Sequence, residues 1–350
     1  MDGERDEDCL WYPCHMTRRV GVVGFGKMGL LHSGIVNALD GNEIVAICES
    51  DSLLRRIGAR LLKDVHFYRD VSEMLRKENL DAIFVTTPIA THLSMIEAAV
   101  KAGSVHGIFV EKPLAANYHD ALAAADLVRG SRIVTAVGYQ KRYSSEFAKA
   151  KSLLDSNAIG PVRSFTAYAF VAGVFAQGKG WRFDPKQGGA LLDLGPHLID
   201  LVAWYFGQTL VESATTESLH SQTVEDRVHA VLWCSGVEGE IDVCWSQPGY
   251  RLMEVGLDIR GEDGSIKVSD DGVSLDVFHS TSSFERGSYR YTKPELYEGV
   301  DFLIGDPEYC VEDRRFLGSL YNRSGAGVDF STAANVNDTI DKIRAAALVR

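Results

Sequence analysis

The stretch that most constrains this chain is VGVVGFGKMG, Val20 to Gly29. A short apolar run, Val20 to Val23, reads as a buried parallel strand, and a helical segment, Leu30 to Leu39, follows. Between them lie Gly24, Phe25, Gly26, Lys27, Met28 and Gly29. Glycine at the first position permits a tight turn. At the second it lets the backbone approach a pyrophosphate, and at the third it lets helix and strand pack closely. The helix N-terminus then offers free amides to an anion. The motif alone is a weak signal, but here a second apolar strand, Glu43 to Cys48, follows and ends at Glu49. Glu49 stands 20 residues past Gly29, where a dinucleotide site places an acid against the ribose hydroxyls. Such an acid favours NAD over NADP, because a 2′-phosphate there meets a like charge. Ser50, Arg55 and Arg56 oppose that preference, and the two arginines are expected on the outer face of the following helix.

Strands and helices then alternate. Val65 to Tyr68, Ala82 to Thr86, Gly107 to Val110 and Arg132 to Val137 are short apolar runs; Asp51 to Lys63, Asp70 to Lys77, Thr91 to Lys101 and Tyr118 to Arg129 are helical in period. Ser50 or Asp51 is the expected cap of the first of these helices. Continuous apolar strands between helices predict a parallel sheet covered on both faces. Ligands of such sheets bind beyond the carboxyl ends of the strands. The rule points to three exits: Gly24 to Gly29, Thr86-Thr87-Pro88, and Glu111-Lys112-Pro113. Pro113 restricts Lys112 to extended backbone.

The pattern changes near Gly138. Ser144 to Asp155 reads as a helix and Arg163 to Val171 as a long strand. Past Gly207 come strands at Arg227 to Cys234, Glu238 to Trp245, Glu254 to Gly261, Ser265 to Ser269 and Val273 to His279. Hairpin signals stand at 261–264 and 270–272. Residues 306–320 and 331–349 return to helical period. A chain of 350 residues accommodates two domains. A net charge of −12 argues against nucleic acid or an anionic membrane as a partner, and no apolar run approaches the length of a membrane span. The six cysteines are scattered without metal spacing, so no metal is expected and a cytoplasmic protein fits. Residues 1–17 read as a disordered acidic tail and not a signal peptide; a metal site at Cys9, Cys14 and His15 is the weaker alternative.

A second informative stretch is GGALLDLGPHLIDLVAWYF, Gly188 to Phe206. On one continuous helix Asp193, His197 and Asp200 share a face, although Pro196 breaks the bond ladder unless the helix begins there. A carboxylate beside an imidazole is what a general base needs. A satisfied structural histidine beside helix acids is the competing reading.

At this point the residues resemble the glucose-fructose oxidoreductase, inositol dehydrogenase and MocA family. The matching motifs are VGVVGFGKMGLLHSG, TTPIATH at 86–92, EKPLA at 111–115, GYQKRY at 138–143 and GGALLDLGPHLID at 188–200, in that order. The resemblance implies a Rossmann domain over 18–140. An open, mostly antiparallel mixed sheet for substrate and oligomer contacts is implied over 141–350. It implies an NAD(P)-dependent dehydrogenase acting on a secondary alcohol of a sugar, cyclitol or sugar derivative. Lys112 and His197 are then the catalytic pair, with Asp193 orienting the histidine; Asp200 supports structure or substrate. Thr86, Thr87, Pro88, His92, Glu111 and Gln140 join the glycine loop and Glu49 around the cofactor. Arg142, Trp181 and Arg182 join Lys112, Asp193 and His197 around the substrate. A homodimer or homotetramer through the C-terminal sheet is also implied.

Two other readings stay open. One is an NAD-dependent glycoside hydrolase working by transient oxidation; the other is a non-catalytic NAD(P)-binding regulator, which need not keep Lys112, Asp193 and His197 together. The segment Val171 to Gln187 is expected over the cleft, where Lys179, Trp181, Arg182 and Lys186 suit an anionic or nucleotide-linked sugar. A solvated loop has the same composition.

Overall fold

The computed structural model describes residues 17–297, 299–300, 306–322 and 327–348. All of the expected tail except Thr17, including Cys9, Cys14 and His15, lies outside the described residues. Six strands form the first sheet: β1 (Arg18–Val23), β2 (Asn42–Cys48), β3 (His66–Tyr68), β4 (Ala82–Val85), β5 (Gly107–Val110) and β6 (Val134–Val137). All are parallel, in the order β3-β2-β1-β4-β5-β6. The order reverses between β1 and β4, which opens a crevice at their carboxyl ends. The apolar runs are buried on both faces: every residue of β4 is 0% exposed.

The helices of this half are α1 (Lys27–Ala38), α2 (Ser52–Leu61), α3 (Val71–Lys77), α4 (His92–Ala102) and α5 (Tyr118–Val128). Asp51, Asp70 and Asn117 cap α2, α3 and α5 through their side chains. The first turn of α1 has no side-chain cap.

The second half opens with α6 (Ser145–Asp155), β7 (Val162–Phe170), α7 (Ala190–Asp193) and α8 (Gly195–Phe206). Seven strands follow: β8 (Thr209–Glu217), β9 (Arg227–Cys234), β10 (Val237–Cys244), β11 (Glu254–Gly261), β12 (Gly264–Ser269), β13 (Gly272–Val277) and β14 (Gly287–Thr292). The sheet runs β14-β13-β12-β11-β7-β10-β9-β8. Only β7 and β10 pair in parallel, so the sheet is mixed and mostly antiparallel. The two signalled hairpins join β11 to β12 and β12 to β13. The edge strands β8 and β14 carry little apolar pattern and escaped the sequence reading. Helices α6 and α8 cover one face.

After the short α9 (Lys293–Leu296), the last helices return to the first sheet. α10 (Glu308–Asn322) lays Phe316 and Leu320 over Gly107 of β5. α11 (Phe330–Ala347) places Asn337, whose Nδ2 donates to Ala115 O at 2.7 Å, and Asp341, which accepts from Tyr118 N at 2.7 Å. Among the described residues, no helix is long and apolar enough to cross a membrane. No group of three or more His, Cys, Asp or Glu among them is placed to hold a metal.

Candidate active site

The glycine loop sits at the crevice. Gly24 adopts φ +98°, and a Cβ at Gly29 would lie 2.0 Å from Gly24 O, so helix and turn approach as only glycine allows. A Cβ at Gly26 meets nothing within 4 Å, leaving open space before the uncapped amides of α1. Lys27 is exposed and Met28 half-buried. The Phe25 ring turns inward onto Phe67, so this residue presents backbone only. Glu49, 9% exposed, accepts from Phe25 N and from Asp51 N, both at 2.7 Å. This cradle of uncapped amides, a bare glycine backbone and a carboxylate at the end of β2 fits a dinucleotide. Arg55 departs from expectation: its guanidinium donates to Glu49 O at 2.7 Å and Ser50 O at 3.1 Å. It folds back onto the end of β2 and not onto the helix's outer face.

At the exit of β4, Thr86 Oγ1 donates to Gly24 O at 2.8 Å and fixes the glycine turn. The Thr87 hydroxyl accepts from Thr91, and Pro88 is exposed. His92, 1% exposed, sets one ring nitrogen 2.9 Å from Thr87 O and the other 3.1 Å from Pro113 O. It therefore clasps two strand exits together, and burial lowers its pKa. Gln140, 2% exposed, donates to the Tyr309 hydroxyl at 3.1 Å. Glu111 also turns inward, accepting from Lys112 N at 3.0 Å.

Lys112 leaves β5 through a cis peptide to Pro113. Its Nζ donates to Asp193 O at 2.7 Å and lies 3.6 Å from Asp193 Oδ1. Arg182 Nε stands 3.3 Å from Asp193 Oδ2 and its guanidinium lies over Trp181, so the loop residues Trp181 and Arg182 reach the same place. Gln187 accepts from Ala90 N at 3.3 Å, tying that loop to the β4 exit. Lys179 and Lys186 are exposed.

The shared helical face of Asp193, His197 and Asp200 is corrected by the structure. α7 stops at Asp193 and α8 starts at Gly195 with Pro196 in its first turn. The break turns the Asp193 carboxylate to Lys112 and Arg182, and no hydrogen bond joins it to His197. Instead His197 Nδ1 is buried without a partner. Burial first, then the Lys112 and Lys141 cations, hold the pKa of His197 well below its ordinary value, so the ring is neutral. Asp200 accepts from Arg142 Nε and Nη2, both at 2.7 Å. Arg142 thus satisfies a buried carboxylate and lines a cavity with Trp204 and Lys342 between α8 and α11.

Several contributors escaped the sequence reading. Lys141, 3% exposed, bridges Asp270 at 2.6 Å and Glu308 at 3.1 Å. Glu225 accepts from Leu191 N at 3.1 Å and steadies the first turn of α7. His32 on α1 meets Glu111 and Asp313. Of these, only His32 left a signal, a polar residue on the helix face that buries Ile35 and Val36. Asp313 and Glu308 come from helix α10, far along the chain.

Residues 18–139 match the family described as an oxidoreductase family with an NAD-binding Rossmann fold. Residues 147–267 match the GFO/IDH/MocA C-terminal domain. The chain belongs to this oxidoreductase family, and its residues 18–139 are an NAD-binding Rossmann fold. The scyllo-inositol 2-dehydrogenase (NAD(+)) of Bacillus subtilis is 26% identical over 320 residues, covering 87% of this chain and 86% of its own. Inositol 2-dehydrogenase 1 of Saccharopolyspora erythraea is 27% identical over 265 residues, covering 73% of this chain and 74% of its own. A levoglucosan dehydrogenase in complex with NADH and L-sorbose has the same fold. It superposes with a TM-score of 0.84 at 22% identity, covering 95% of this chain and 97% of that one.

Proposed function

We propose that this chain is an NAD-dependent dehydrogenase of a secondary alcohol on a sugar, cyclitol or sugar derivative, with Lys112 and His197 as the catalytic pair. The observation that carries this reading is Lys112 Nζ, held by Asp193 O at 2.7 Å at a strand exit of the dinucleotide sheet. The cation of Lys112 acts on a neutral, buried His197 nearby. The relatives' names support the substrate class.

Gly24, Gly26, Gly29, the first-turn amides of α1 and Glu49 hold the dinucleotide, and a bound nicotinamide supplies the acceptor for the hydride leaving the carbinol carbon. The hydroxyl must lose its proton as that carbon loses hydride. With Nδ1 of His197 sealed in the protein, Nε2 is the ring nitrogen that meets the substrate, and its lone pair accepts the proton. Lys112 Nζ stabilises the alkoxide that develops between the two transfers. Asp193 holds the lysine and draws Arg182 over the substrate; here it aims the cation and does not orient the imidazole. Residues 18–140 serve the cofactor. Residues 141–350 serve the substrate and, through the uncovered face of the second sheet, the contacts of a homodimer or homotetramer.

The test has two parts. NAD reduction is screened against cyclitols, free sugars and nucleotide sugars; net NADH release is expected, and hydrolysis without it would point to the glycoside hydrolase. Lys112→Ala and His197→Ala are each expected to lower kcat by about a hundredfold or more, with melting temperature and NADH binding intact. Near-native turnover in either variant would remove that residue from the mechanism.

A further inference from the structure

Beyond β5 the Glu111 side chain folds back into the protein. Its Oε2 accepts the Lys112 backbone N–H at 3.0 Å, and its Oε1 lies 3.0 Å from His32 Nε2. On the other side of the imidazole, Nδ1 meets both oxygens of Asp313, at 2.9 and 2.8 Å. His32 and Asp313 are 0% exposed and Glu111 is 8% exposed. Burial raises the Asp313 pKa while the His32 charge and hydrogen bond oppose that rise. With both carboxyls ionised each only accepts, each ring nitrogen donates, and the ring is an imidazolium between two anions. Burial by itself would discharge it, but Asp313 and Glu111 outweigh burial and push its pKa up to about 10. The remaining neighbours do not compete for the charge. Phe84 and Phe109 pack against the ring, and Tyr309 stands edge-on at 6.2 Å. Glu312 is buried with neither oxygen paired; burial, Asp313 and Glu111 hold its pKa well above the ordinary value, so it is uncharged.

An apolar cluster would join α1, the β5 exit and α10 as firmly. What a charged relay adds is direction: it fixes where the Glu111 oxygens point, and one of them holds Lys112. The same relay grips α1 one turn beyond Gly29, the helix whose first-turn amides face the dinucleotide. We propose that Asp313, His32 and Glu111 are positioning residues for Lys112, locking the lysine's backbone to the cofactor helix while Asp193 holds its ammonium from the far side. The proposal rests on the reading of Lys112 as a catalytic residue.

The test uses the full chain with NADH bound and reads Lys112 directly. The ε-amine is labelled with acetic anhydride across pH, and Lys112 is compared by peptide mass spectrometry with the exposed Lys101. In His32→Gln, the ratio of Lys112 to Lys101 labelling is expected to change at least fivefold, with NADH affinity within about twofold of wild type. With a substrate from the screen, kcat falls at least tenfold and KM stays within threefold. Adding His32→Gln to Lys112→Ala costs nothing further. An unchanged labelling ratio in the folded variant, or additive losses with Lys112→Ala, would overturn the relay and leave a purely structural cluster. Asp313→Asn and Glu111→Gln keep the shape and remove one charge each, and are read in the same way should His32→Gln not fold. Near-native turnover of Lys112→Ala would instead defeat the catalytic assignment, while the labelling ratio would still report on the relay.

Discussion

His32 carries its charge only because the fold surrounds it with two carboxylates. Its folded pKa of about 10 stands above the unfolded 6.5. A raised value stabilises the folded state fully below the unfolded pKa, and that stabilisation is lost as pH rises to the folded one. The melting temperature of wild type should therefore fall relative to His32→Gln as pH goes from 6.5 to 10, read by calorimetry at matched ionic strength; parallel curves would contradict it. Glu111 has the opposite sign. Burial raises its pKa, but His32 and Lys112 prevail and lower it, so its contribution is present above the ordinary carboxylate range and fades in acid. Glu49 makes a prediction about selectivity. With its carboxylate gone and Arg55 already folded over the end of β2, Glu49→Ala should shift the NADP-to-NAD ratio of kcat/KM by about tenfold or more, about 1.4 kcal/mol. Glu49→Ala combined with Arg55→Ala should lose that gain. No shift in the single variant would show that Glu49 does not read the ribose.

At the scale of elements, α1 is the unit to probe, because Gly26 at its N-cap and Gly29 in its first turn are constrained differently. Alanine at Gly29 would set Cβ 2.0 Å from Gly24 O, an overpacking that costs about 1–3 kcal/mol. Alanine at Gly26 meets no protein atom within 4 Å, and in the proposed cofactor site it would project toward the pyrophosphate. Gly29→Ala should lower the melting temperature. Gly26→Ala should leave melting unchanged and weaken NADH binding about tenfold or more, followed by fluorescence titration. Equal effects on both measures in both variants would refute the division. The break between α7 and α8 belongs to this scale too. Pro196 in the first turn fits a helix start and not a helix middle. The break goes with an Asp193 carboxylate that stands by Lys112 and Arg182 and makes no hydrogen bond to His197.

The whole molecule is closed by its C-terminal helices, which cross back to the dinucleotide sheet and bring Asp313 to His32 and Glu308 to Lys141. Among the described residues, helices cover one face of the second sheet, and Val231, Trp233, Tyr168 and Phe170 lie on its other face. Light scattering should give the mass of a dimer or tetramer, reduced in Val231→Asp; a wild-type monomer would refute the oligomer. Much of this was legible in the sequence. Continuous apolar runs between helical periods determined a parallel sheet with both faces buried. The glycine spacing determined the tight turn between β1 and α1, and the Asp-Gly turns determined two hairpins. Such signals are local: each depends on residues within a turn or two of one another. The edge strands β8 and β14 were not legible, because a strand with little to bury carries little pattern. Only the tertiary structure decided which carboxylate meets which cation, since Asp313 and His32 are 281 residues apart. Burial strengthens a charge pair and penalises an unpaired charge, and which groups become buried together depends on the packing of the whole chain.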